Sequence, residues 1–271
     1  MQRLDDLYAQ QLITPANGLA SQPDQTFGFE RDEADQLSSW IREGFDRQQQ
    51  LLWANKKPAI VLWLQGADCS GKDGAIRNLL RGLNPQGVIV SDFQKPTAAQ
   101  QQQHFLSRYQ AALPRPGYLA VFNRTPYEGV VSDLADGYIS QEQATARLNE
   151  LLAFEQQLER QQIKLIKVYL HISKAEQKQR LAQRLINPEK HWKVSIADLT
   201  GHRHFHSIQR NWQQVIAQSS TESHPWHILP SDHKWLRNLL LAYLLQRSFQ
   251  QLALSWPKPP LPFSLEELEA I

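Results

Sequence analysis

Residues 58–76 read PAIVLWLQGADCSGKDGAI. An apolar run at 59–64 is followed by a glycine-bearing loop with a lysine, and then by the start of a helix. Gly66, Gly71 and Lys72 stand in the spacing G-x-x-x-x-G-K. That spacing builds a cradle for phosphate. Glycines let the backbone turn several N–H groups inward, the lysine reaches the outer phosphoryl oxygens, and the following helix presents its positive end to the anion. The competing reading is a strand-to-helix turn that merely carries Gly and Lys; a strand before and a helix after favour the cradle.

Working outward, the run at 59–64 reads as the first buried strand, and further short apolar runs follow at Val88–Val90, Tyr118–Phe122, Lys164–Leu170 and Trp226–Leu229. Helical patterns separate them, at 73–82, 97–112, 141–161, 174–186 and 203–218, and a last one covers 233–254. Upstream, Leu37, Trp40, Ile41, Phe45, Leu51 and Leu52 are spaced as one amphipathic helix over 30–56. Strands alternating with helices predict an α/β fold with a parallel sheet covered on both faces. Residues 1–29 read as a polar, turn-rich, extended arm, residues 30–256 as the main domain and residues 257–271 as a tail. The glutamine runs Gln48–Gln50 and Gln100–Gln103 read as solvated helix faces. Pro257–Pro262 reads as a cover or loose end, or as a ligand for a Pro-rich reader.

Composition narrows the function. The 271 residues suffice for one large α/β domain. The net charge of +2 argues against a general nucleic-acid binder. The one cysteine, Cys69, rules out an internal disulfide framework and suits a reducing compartment. It lies inside the loop, as small filler or as a thiol nucleophile. No run of 18 apolar residues suggests a membrane span, and MQRLDDLYAQQLITPANG lacks a signal-peptide core, so a cytoplasmic protein is expected.

The loop departs from the common Lys-Ser or Lys-Thr ending, whose hydroxyl holds magnesium. Here Asp73 follows Lys72, and Asp68 lies within the loop. A carboxylate in an anion cradle makes sense if a hard cation sits between the two, so Asp68 is expected to hold Mg²⁺, with helix capping as the alternative. Asp73 suits the positive helix end as well as it suits a direct role. The strand ending at Phe122 delivers Asn123, Arg124 and Glu128 to the ligand-binding edge of such a sheet. Arg180 and Arg184 share one helix face, and Lys190 and Lys193 flank Trp192. Mobile cations of this kind close over a transferring phosphoryl group, and Pro188 begins a segment suited to a lid. His202, His204 and His206 lack the Cys or Glu spacing of a structural metal site.

Together these pieces resemble the polyphosphate kinase 2 family. The loop form G-x-D-x-x-G-K-x-G is met by Gly66, Asp68, Gly71, Lys72 and Gly74. Asn84-Pro85-Gln86-Gly87, Lys95-Pro96-Thr97, Phe122-Asn123-Arg124, Tyr127-Glu128 and His171-Ile172-Ser173-Lys174 are similar as well. So are Asn187-Pro188, Trp192-Lys193-Val194-Ser195, Pro225-Trp226 and Asp232-His233-Lys234-Trp235. The resemblance implies a P-loop kinase-like five-stranded parallel sheet with a helical lid at about 187–212. It implies Mg²⁺-dependent, reversible phosphoryl transfer between polyphosphate and a nucleotide, ADP or AMP as acceptor, by a homo-oligomer (dimer or tetramer), with no nucleic-acid or membrane partner. The expected phosphate contacts are Gly66, Ala67, Cys69, Ser70, Gly71, Lys72, Asp73, Gly74 and Lys193. Asp68, Lys72, Arg124, Arg180 and Arg184 are expected to be catalytic, and Asn123, Arg124 and Glu128 to hold the nucleotide. Two stretches depart from the family pattern: Gly129–Asp133, and TGHRHFHSIQRNW at 200–212. A kinase using a nucleoside triphosphate on another small molecule, or a non-catalytic sensor, are the rival functions.

Overall fold

The computed structural model describes residues 1–9, 19 and 22–271. Its frame is a sheet of β1 (Ala59–Gly66), β2 (Val88–Asp92), β3 (Leu119–Asn123), β4 (Ile163–His171) and β5 (Trp226–Pro230). The spatial order is β2-β3-β1-β4-β5, and every neighbouring pair is parallel. The five apolar runs of the sequence are these five strands. β1 is buried at every position because it lies in the middle of the sheet with helices on both faces.

Side-chain alternation divides the core in two. Ile60, Leu62 and Leu64 of β1 face a cluster built with α1 (Gln2–Leu7), α2 (Arg31–Glu43), α3 (Phe45–Asn55), α4 (Lys72–Leu79) and α12 (Lys234–Gln251). Ala59, Val61 and Trp63 face the other side, covered by α6 (Ser107–Gln110), α7 (Glu128–Ala135), α8 (Gln141–Arg160) and α11 (Phe205–Ser219). The short α5 (Ala98–Gln101) lies at the surface. α9 (Lys174–Ile186) follows β4, and α10 (Ile196–Arg203) follows a 3-10 segment at Pro188–Lys193. Because the strands are parallel, the loops after β1, β3, β4 and β5 meet at one edge.

Several local expectations are corrected. Residues 2–7 form a helix with Leu4 and Leu7 buried, not an extended stretch; the rest of the expected arm includes 10–18, 20 and 21, outside the described residues. The helix expected over 30–56 is two, meeting at Gly44. The one expected at 97–112 is split into α5 and α6, where His104 Nδ1 accepts the Leu106 N–H and competes with helical bonding. α10 starts early, at a capping box in which Ser195 and Asp198 exchange bonds, and α11 starts separately at Phe205. Gln49 is not solvated. It is buried, its amide donates to Asn84 O at 2.9 Å, and its carbonyl accepts from Asn84 N at 2.7 Å. Residues 255–271 are exposed throughout, with one short helix, α13 (Leu265–Glu269).

Candidate active site

β1 ends at Gly66, the loop runs through Gly71, and Lys72 opens α4. Two glycines are required by space. A Cβ at Gly66 would stand 2.7 Å from Ser70 Oγ and 2.9 Å from Leu170 O. Gly71 has φ +94°, and a Cβ there would stand 2.3 Å from Arg237 Nη1.

Every carbonyl of the loop from Gly66 to Gly71 accepts a hydrogen bond from a side chain. Lys72 Nζ donates to Gly66 O at 2.7 Å and to Ala67 O at 3.3 Å. Gln177 Nε2 donates to Asp68 O at 3.0 Å. Arg180 Nη1 donates to Cys69 O at 3.0 Å and Ser70 O at 2.9 Å. Arg237 Nη1 donates to Ser70 O and Gly71 O, both at 3.3 Å. Carbonyls drawn one way turn the peptide N–H groups the other way, and the first amides of α4 have no acceptor within their own helix. The result is an anion-receptive backbone that is already formed.

The loop borders a cavity of about 1540 Å³. Asp68, Cys69, Gly71, Lys72, Asp73, Gly74, Asn123, Arg124, Glu128, Arg180, Arg184 and Lys193 all line it; Gly66, Ala67 and Ser70 lie outside the lining. Asp68 has a side chain 42 % exposed, with Arg124 Nη2 3.5 Å from its Oδ1. Arg124 has φ +73°, uncommon for a residue with a Cβ, and holds a guanidinium between Asp68 and Glu128 (3.8 Å). Burial works to lower the Arg124 pKa, but the two carboxylates outweigh it and leave it raised. Burial lowers the Lys72 pKa, and Asp68 acts against that shift.

Asp73 bridges three elements. It accepts from Asn123 Nδ2 at 3.1 Å and from Lys193 Nζ at 2.8 Å. Burial would raise its pKa, but the bonds from Lys193 and Asn123 outweigh that and hold it below the usual carboxylate value. Through Lys193 the segment 188–203 is drawn over the loop, and Arg184 ties it from beneath with bonds to Asp198 Oδ1 at 3.2 Å and Lys193 O at 3.4 Å. His202 Nδ1 meets Gln177 Oε1 at 2.8 Å; since the Gln177 amide donates to Asp68 O, the histidine nitrogen is the donor here. Of the two readings of Cys69, filler fits: the thiol is buried, and burial pushes its pKa up to about 11.

Arg180 differs from the clamp expected of it. Nε donates to Glu176 Oε1 at 2.7 Å, and Nη2 to Ser231 O at 2.6 Å and Asp232 O at 3.0 Å. With the two Nη1 bonds, all five N–H groups are committed, so this guanidinium braces the loop. Sequence reasoning also missed Arg237 and Gln65. Gln65 donates to Glu128 Oε1 at 2.7 Å and accepts from Thr125 N at 3.1 Å, fixing Glu128 against the Arg124 loop. The far end of the cavity, with Phe93, Phe105, Tyr138, Arg108 and Arg147, was equally unmarked. None of these belongs to a contiguous motif.

A parallel sheet in this order, with a phosphate-loop sequence at the end of its central strand and basic side chains gathered above it, defines a P-loop kinase-like protein. The family model of Polyphosphate kinase 2 (PPK2) matches residues 30–254. The chain belongs to that family. It is 35% identical over 239 residues to the AMP/ADP-polyphosphate phosphotransferase of Meiothermus ruber, covering 88% of this chain and 90% of that one. It is 34% identical over 222 residues to the ADP-polyphosphate phosphotransferase of Rhodopseudomonas palustris, covering 78% and 77%. The crystal structure of Polyphosphate Kinase 2 from Arthrobacter aurescens TC1 superposes with a TM-score of 0.91 at 30% identity, covering 97% of this chain and 95% of that one.

Proposed function

We propose that this protein transfers phosphoryl groups reversibly between inorganic polyphosphate and a nucleoside phosphate, with ADP to ATP preferred and AMP to ADP possible. The observation that carries the reading is the loop at 66–74, its carbonyls held back by cationic and amide side chains, facing a cavity that also gathers Lys72, Arg124, Arg184 and Lys193. The names of the relatives from M. ruber and R. palustris support the same substrates.

Lys72 and loop amides that include those of Gly71 and Gly74 grip the phosphate chain, while the Ser70 N–H is spent on Ala67 O at 3.0 Å. Arg124, Arg184 and Lys193 neutralise charge that spreads over the moving phosphoryl oxygens. Arg180 serves the same step indirectly, by holding Cys69 and Ser70 in place. Asn123, Arg124 and Glu128 orient the nucleotide phosphates, and the Asn123-Arg124 pair supports grouping the chain with relatives of the Asn-Arg type. Asp68 suits magnesium: it is a half-exposed carboxylate on the cavity wall, and Mg²⁺ is commonly held by one or two carboxylates together with phosphate and water oxygens. When bound there, the ion would offset the negative charge of adjoining phosphoryl groups. Attack by the acceptor oxygen needs no covalent enzyme intermediate, since positioning and charge neutralisation lower the barrier.

We place the enzyme in the cytoplasm as a homo-oligomer, and assign residues 187–212 as the lid. Among the described residues, no helix is long and apolar enough to cross a membrane. Incubating the protein with polyphosphate, Mg²⁺ and ADP or AMP, and following ATP or ADP by coupled assay, tests the activity. Nucleotide product that requires polyphosphate is expected; turnover of a nucleoside triphosphate on another acceptor, or none with any nucleotide, contradicts it.

A further inference from the structure

Arg237 lies in the first turn of α12 and is 2 % exposed, yet among the described residues no carboxylate meets its guanidinium. Its Nη1 donates to Ser70 O and Gly71 O, and its Nε and Nη2 donate to Asn238 Oδ1 at 3.3 and 2.8 Å. Among the described residues, the neighbouring charge that moves its pKa is another cation, Arg180; burial and that repulsion bring it to about 10. Arg237 is thus still charged at neutral pH. A buried cation without a counter-charge is costly, and ordinary packing gives no reason for it. Nor does the loop depend on it alone for satisfied carbonyls. Ser70 O also accepts from Arg180, and Gly71 O also accepts from Ala75 N at 2.9 Å.

The missing counter-charge can come from across the loop. Peptides whose carbonyls point at Arg237 turn their N–H groups toward the cavity, so one peptide layer separates the guanidinium from an anion bound there. Building on the reading of the loop as a phosphate site, we propose that Arg237 is a positioning residue for phosphate. It fixes the peptides of Ser70 and Gly71 in the anion-receptive orientation before substrate arrives, and its charge is compensated only when the polyanion binds. The conflict between a Cβ at Gly71 and Arg237 Nη1 shows that loop and guanidinium are fitted to one another.

The test titrates tripolyphosphate into wild type, Arg237→Met and Arg237→Lys, reading the midpoint of thermal unfolding and the binding constant, then KM and kcat with polyphosphate. Arg237→Met is expected to bind tripolyphosphate about ten- to a hundredfold more weakly, the range for lost bonds to a charged group. It is expected to unfold, without ligand, at the wild-type temperature or above, because an uncompensated charge has been removed. KM for polyphosphate should rise more than KM for the nucleotide. Arg237→Lys restores charge without the fork and should bind at an intermediate level. A purely structural role would instead lower the unfolding temperature and leave binding by the folded fraction unchanged, which overturns the proposal. If Arg237→Met does not fold, a structural role is indicated and the proposal falls unless Arg237→Lys folds and shows the intermediate affinity. Wild-type affinity in Arg237→Lys refutes the fork geometry. No response of wild type to tripolyphosphate removes the phosphate reading of the loop itself, a different failure.

Discussion

Lys167 and Arg237 are both buried basic side chains, one on each face of the sheet. Lys167 Nζ donates to both oxygens of Glu155 at 2.8 Å and to Ser219 O at 2.8 Å, while Tyr127 OH donates to Glu155 Oε1 at 2.6 Å. That network closes on itself. Burial raises the Glu155 pKa and lowers that of Lys167, and the pairing opposes both shifts. Arg237 meets carbonyls, an amide and a second cation. A cation matched inside the protein serves the fold; one left unmatched beneath a glycine loop serves an anion that comes from outside.

The sharpest break of that contrast comes from Glu155→Gln. It leaves Lys167 buried without a counter-charge and should cost about 3–5 kcal/mol in urea unfolding, with the tripolyphosphate affinity of the folded protein retained. If affinity falls with stability, the two clusters are not separate in function. Lys72→Ala acts on the opposite side, removing the loop's own cation. Phosphotransfer should drop about a hundred- to a thousandfold while circular dichroism reports an intact fold; wild-type rates would show that Lys72 is not part of the chemistry. Asp73→Asn removes the ion pair to Lys193, half of which is solvent-exposed. Surface pairs of this kind are worth up to about 1 kcal/mol, so tryptic cleavage at Lys190 and Lys193 should quicken about two- to fivefold. An unchanged rate would mean that Asp73 does not hold that segment down.

The smallest effect is expected at Cys69. Its pKa is raised by burial to about 11, so at pH 8 only roughly one molecule in a thousand carries the thiolate. Reaction with iodoacetamide should be slow at pH 8 and rise about tenfold per pH unit toward that value, and Cys69→Ser should retain activity. Fast labelling at pH 8, or an inactive serine variant, would restore the thiol to a catalytic role.

The loop was legible because its signal is local: glycines and a lysine at fixed spacing between a strand and a helix need no knowledge of the rest of the chain. The strands were legible for the same reason, since burial on both faces demands unbroken apolar runs. Arg237 was not legible. It stands 166 residues from Gly71, in a helix whose pattern gives no hint that one arginine faces a loop. Gln49 escaped likewise, as a polar residue on a helical pattern that usually points to water. Spacing put Arg180 beside the loop, but only the positions of Glu176, Ser231 and Asp232 reveal that its donors are taken up by the protein in this structure. The division of 30–56 at Gly44 shows a further limit, because a period that continues across a break hides it.

The claim at the centre of this account is that the amides of the loop, held outward by their carbonyl partners, receive phosphate. Glycine-selective amide NMR during a tripolyphosphate titration addresses it directly, since Gly71 and Gly74 lie in the cradle while Gly44 and Gly117 lie in other loops away from the cavity. Saturable shifts at Gly71 and Gly74, with Gly44 and Gly117 unmoved, are expected. Catalytically active protein whose Gly71 and Gly74 amides stay fixed at saturating tripolyphosphate would contradict it.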